Sequence, residues 1–149
     1  MNIVLKKTVV LLCILAIVTG IWLLSRTVKI IAVHQYSSTS DVIVQNFPLT
    51  DKGKINWWLK NADMLKKKYH IPNPAPYGAF SITFWDFDDG YKEEGKYDRL
   101  CFNDMQTKKN CIDKNAVFAV HNTSEGEIVF LTYDGVYKQK GGEITPLRD

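Results

Sequence analysis

One block of this chain carries no charged residue. It begins at Thr8, ends at Ser25 and reads TVVLLCILAIVTGIWLLS. Its length reaches the lower end of the roughly 17–25 residues that cross a bilayer as a helix. Lys6 and Lys7 precede it, and Arg26 and Lys29 follow it. A cleaved signal peptide would need a small-x-small site after the apolar core. Trp22, Leu23 and Leu24 occupy that zone. A lipoprotein would need a cysteine at the end of the run, whereas Cys13 lies in its middle. A helix buried in a soluble core would show polar residues on one face, and this block is apolar all round. The expectation is an uncleaved helix that holds the chain in the lipid bilayer. The basic residues on the two flanks nearly balance, so they do not set its orientation. A short N-terminal flank and a long following domain favour residues 1–7 inside, 8–25 across and 26–149 outside.

The 149 residues suit one soluble domain behind that helix. The formal net charge is +3, and Lys6 and Lys7 supply two of those charges. The remainder is close to neutral, which argues against a nucleic-acid binder. Beyond Cys13 only Cys101 and Cys111 remain. An even pair in an exported domain reads as a disulfide. Closing so short a loop stabilises by roughly 2–3 kcal/mol. A C-x-x-C spacing is absent, so redox catalysis is not indicated.

The pattern along the domain predicts an α+β fold, one helix packed on a mainly antiparallel sheet. VKIIAVH (28–34) and DVIVQNF (41–47) read as two strands of a hairpin across a Ser-Ser-Thr-Ser turn. Thr50 is a suitable N-cap for a helix over 51–70. Ile55, Trp58, Leu59, Ala62, Leu65 and Tyr69 share one face of that helix, while Asn56, Lys60 and Lys67 lie elsewhere. Pro72, Pro74 and Pro76 force an extended crossing to the sheet. Residues 79–87 alternate as a strand, and Asp88-Asp89-Gly90 marks a turn. Further strands are expected over 97–102, 116–121, 127–133 and 136–140, with turns at Glu125-Gly126 and Asp134-Gly135. The 101–111 loop shows no strand pattern, and the tail after Lys140 fits no element.

The acidic stretch from Asp86 to Asp98 invites a calcium reading. An EF-hand needs ligands at loop positions one, three and five and glycine at six. Starting at Asp86 puts Gly90 at five; placing Gly90 at six puts Trp85 at one. Neither register works, and a solvated turn is the plain alternative. Asp86, Asp88 and Asp98 are the acids an enzyme reading would use. His34, His70 and His121 are scattered, and a His34/His121 zinc pair would lack two ligands. No G-x-S-x-G, H-E-x-x-H or P-loop pattern occurs. No metal or cofactor is expected. Trp57 and Trp58 are adjacent, so their side chains point about a hundred degrees apart. Trp58 belongs to the core face, and Trp57 at its margin is a candidate anchor for a protein partner. Lysines on the helix's other face could meet lipid headgroups.

The segments VIVQNFPLTDKGKINWW, ITFWDFDDGYKEEGKYDRLCFNDM and NCIDKN carry a specific likeness. With VKIIAVH and the apolar block, they resemble the enterobacterial putative membrane protein family, a domain-of-unknown-function family of single-span proteins. The resemblance runs from the anchor to about Tyr137. It implies an enteric bacterial source, the anchor and the Cys101–Cys111 pairing; it supplies no catalytic residue. The reading is a single-pass inner-membrane protein with a periplasmic domain. That domain is expected to bind a protein partner, with Trp57, Trp58, Asp86, Asp88 and Asp89 as candidate contacts, and not to be an enzyme. By analogy with small anchored proteins, an immunity factor of a bacterial competition system is one alternative. A periplasmic enzyme working through the Asp86–Asp98 carboxylates is another.

Overall fold

The computed structural model of the chain describes residues 2–124 and 126–147. Helix α1 (Ile3–Leu24) starts before the charge-free block and takes in Lys6 and Lys7. It is long and apolar enough to cross a membrane, and none of it is buried against the rest of the chain. Thr8 and Thr19 turn their hydroxyls onto the carbonyls of Val4 and Leu15, so the helix presents no free hydroxyl donor there.

The domain beyond it is α+β. Strands β1 (Lys29–Tyr36) and β2 (Thr39–Gln45) form the expected antiparallel hairpin. Helix α2 (Asp51–Tyr69) follows, and the Thr50 hydroxyl accepts from the Gly53 N–H at 3.0 Å. Gly53 has a positive reason to be glycine. A Cβ there would come within 2.9 Å of that hydroxyl and 3.0 Å of Pro48, so the cap leaves no room for one. The helix closes at His70, whose left-handed backbone lets its N–H reach the Lys66 carbonyl.

Strand β3 (Phe80–Asp86) runs parallel to β2, making β2–α2–β3 a crossover. This corrects the simple meander expected from the strand order. The next strand in the main sheet is β6 (Ala116–Asn122), antiparallel to β3. Then come β7 (Ile128–Leu131), β8 (Val136–Lys140) and β9 (Glu143–Pro146), giving the order β1-β2-β3-β6-β7-β8-β9. The tail after Lys140 is thus a paired strand. Gly141 and Gly142 both take positive φ in the turn before it, which a side chain would oppose. Of the expected Glu125-Gly126 turn, Glu125 lies outside the described residues.

Residues 97–102 do not join the main sheet. Only Arg99–Cys101 is a strand (β4), and it pairs with β5 (Cys111–Asp113) in a separate two-stranded sheet. The loop between the cysteines therefore starts and ends on strands.

Both faces of the main sheet are covered. On one, Val42, Val44, Phe80, Ile82, Phe84, Phe118 and Phe130 pack against Ile55, Trp58 and Leu65 of α2. On the other, Ile43 meets Ile112 of the small sheet and Phe102 just past β4, with Trp85 packed beside them. The period-two alternation of β3 is the cause: Ile82 and Phe84 face the helix, and Trp85 faces the small sheet. Leu59 departs from expectation, being exposed. The buried stripe of α2 runs through Lys54, Ile55, Trp58 and Leu65, and Leu59 lies to one side of it.

Candidate functional site

The disulfide joins Cys101 to Cys111, which are direct partners across β4 and β5. The enclosed loop is fastened to β1 by its own side chains. Phe102 stacks on the His34 ring with centroids 3.8 Å apart, and Asp104 meets His34 Nδ1 at 2.8 Å. Tyr91 stands at the other ring nitrogen, 3.5 Å away, its hydroxyl pushed up by burial and by the Asp104 charge. His34 and His121 cannot share a metal as neighbours: β2 and β3 lie between their strands. His70 caps α2 in the open.

The acidic stretch divides. Asp88, Asp89 and Asp113 bring carboxylate oxygens within 4.8 Å of one another. Lys92 bridges Asp89 and Asp113, and Arg99 reaches Asp113 at 3.1 Å. These two cations hold the Asp113 carboxyl below its ordinary range. Asp98 pairs with Lys114 on the surface. Asp86 lines a cleft with Arg26 and touches this network only through Asp88, whose backbone N–H donates to it. The acids thus do not converge on one reacting centre. Sequence reasoning missed Asp113, since nothing in its local pattern announces Lys92, a partner 21 residues away.

Of the two tryptophans, Trp58 is 6% exposed and sits edge-on to Phe84, inside the core. Trp57 is half-buried. One side of it packs on Phe47 and Phe84, and it also lines a groove.

That groove is one of three hollows that meet at Arg26 and Pro48, where α1 joins the domain. The Arg26 guanidinium lies over Trp22, 5.1 Å from the ring centre, and donates to the Asn46 side chain. Asn46 takes a left-handed backbone at the end of β2 and donates from Nδ2 to the Thr27 carbonyl. The linker after the helix is thereby tied to the sheet. The first hollow, about 520 Å³, runs between the start of β1 and α2, past Trp57, Met64 and Tyr69. The second, about 270 Å³, is walled by Leu23, Leu24, Phe47 and Leu49. The third is a polar cleft of about 400 Å³ that holds Arg26, Lys54, Asp86 and Asn115.

A family model described as "Enterobacterial putative membrane protein (DUF943)" matches residues 2–148. The chain belongs to this family. No curated protein and no solved structure matches it. Membership in the enterobacterial family agrees with α1 as an apolar N-terminal helix; it brings no reaction and no ligand to the three hollows. Lys54 was not singled out by the sequence. A lysine beside the helix's apolar face reads as solvated, and only the fold places it over the Tyr133 ring.

Proposed function

We propose that the chain is a single-pass inner-membrane protein whose periplasmic domain binds a protein partner along the free edge of β1. The groove between β1 and α2 is the observation that carries this reading. β1 is the outermost strand of the sheet, so among the described residues one side of its backbone ladder has no strand partner. Such an edge accepts an added strand through main-chain hydrogen bonds, with adjoining pockets reading alternate side chains. Trp57, Met64 and Tyr69 line the hollow beside this edge, and aromatic and methionine side chains suit partner recognition. Placement of the domain outside the cytoplasm draws on the Cys101–Cys111 disulfide, a bond characteristic of oxidising compartments. A binding role, and not a catalytic one, is favoured because Asp98 is paired with Lys114 on the surface, away from the cleft that Asp86 lines.

The test is a photo-reactive amino acid placed at Asn61 of the full-length chain in living cells. A discrete protein adduct is expected there, absent when the same group replaces Lys108 on the disulfide loop. Adding Met64→Asp should abolish the adduct. Equal adducts at both positions, or indifference to the groove charge, would refute the reading.

A further inference from the structure

The polar cleft holds a group that the binding proposal leaves unused. Lys54 is 4% exposed, among the least exposed polar residues described. Its ammonium rests 4.8 Å above the Tyr133 ring and meets no carboxylate in the described residues. A ring face attracts a cation, but it does not accept the three hydrogen bonds an ammonium offers. The stem is buried, and the ammonium's donors are left to the space in front of it. Lys54 and Tyr133 both line the cleft, so the ammonium borders its open space.

The other groups around that space are complementary in a specific way. Arg26 brings a second cation, and Asp86 an acid. Asn115 accepts from the Tyr133 hydroxyl and gives its carbonyl to the Asp86 N–H. Burial raises the Asp86 carboxyl and the Asp88 charge adds to this, while the Asp88 N–H and the Arg26 charge oppose it. Two cations and one acid around one space match a ligand with a phosphate and an amine.

The apolar hollow says where that ligand comes from. It shares Arg26, Asn46, Phe47, Pro48 and Leu49 with the polar cleft. From there it extends along Leu23 and Leu24, the last residues of α1. Leu49, at its rim, is 76% exposed. A polar cleft thus continues into an apolar groove that follows the end of the membrane helix.

From this geometry we infer that the Arg26–Lys54–Asp86 cleft binds the headgroup of a phosphoethanolamine lipid. The phosphate lies against Arg26 and Lys54, the ammonium against Asp86, and an acyl chain along Leu23, Leu24 and Leu49. The site sits at the end of the helix, at headgroup depth, whichever side of the membrane the domain faces. It uses neither the β1 edge nor Met64, so its failure and the failure of the partner groove are separable.

The test is native mass spectrometry of the full chain in detergent, titrated with phosphatidylethanolamine, phosphatidylglycerol and phosphatidylcholine of identical acyl chains. Phosphatidylethanolamine is expected to bind about tenfold more tightly than phosphatidylcholine, whose trimethylated amine cannot donate to Asp86. Lys54→Met, which keeps the volume and removes the charge, should weaken the phosphatidylethanolamine adduct by about tenfold. Asp86→Asn should erase the preference for phosphatidylethanolamine over phosphatidylglycerol while leaving a lipid adduct. A thermal melt of each variant checks that it folds, and the Asp86 variant still decides if Lys54→Met does not. Equal binding of the three lipids, or a preference that survives both substitutions, would overturn the inference. Displacement of the lipid by millimolar inorganic phosphate would overturn it too, by assigning the cleft to free phosphate.

Discussion

The imidazole of His34 lies parallel to the Phe102 ring, tilted by only 8°, while its Nδ1 faces the Asp104 carboxylate. One residue of the sheet edge thereby holds two residues of the disulfide loop. The staple and the clasp act on the same segment, the bond from within and His34 from outside.

His34→Ala removes the stack and the hydrogen bond together. It should destabilise the domain by about 2 kcal/mol, the sum expected for one aromatic pair and one hydrogen bond. Denaturant unfolding of the oxidised protein measures this. If the loop docks independently of His34, the midpoint will not move.

Trp58→Ala should cost about 3–5 kcal/mol, as expected for emptying a buried aromatic site. Trp57→Ala should cost less, because part of that ring already faces the groove. The same pair separates core from interface: Trp57→Ala should diminish the Asn61 photo-adduct at a temperature where the variant is still folded.

Asp86→Asn should stabilise the domain at neutral pH. Burial raises the carboxyl above its ordinary value of 3.8, so the charged form is disfavoured in the folded state and the neutral amide removes that cost. The gain should shrink as pH falls toward 3.8, where the native acid itself takes a proton. Melting curves across this range check the sign. Stability gained together with lipid preference lost is the signature of a residue kept for binding.

His121 gives the opposite pH dependence. Burial lowers its folded-state pKa beneath the ordinary 6.5, so the unfolded chain binds the proton more readily. Stability is full above 6.5 and should decline as pH falls below it. His121→Gln should flatten that part of the curve, read by thermal melts between neutral and mildly acidic pH.

The elements legible in the sequence were those with a strong local signal. The apolar block, the capped helix after Thr50 and the alternation of Phe80, Ile82 and Phe84 each follow from residues close in the chain. The parallel β2–β3 pairing is different: it is fixed by where α2 lays Ile55, Trp58 and Leu65, and a strand pattern does not encode its neighbour's direction. β5 is three residues long, too short for any period to register. β9 had a signal in Gly141-Gly142 that the polar tail obscured. At the site, the cysteines and Trp57 could be picked out by residue type alone. Lys54 and Asp104 could not, because their meaning comes from Tyr133 and His34, each about seventy or more positions away.

We read the chain as an exported, disulfide-closed domain carried on an apolar anchor. The domain's export is tested most directly by alkylating the protein under denaturing conditions straight from living cells and reading its intact mass. Only Cys13 is expected to label before reduction, since it is the free cysteine of the chain. All three cysteines should label after reductant is added. Immediate labelling of all three would instead place Cys101 and Cys111 as thiols in a reducing compartment and the domain on the cytoplasmic side.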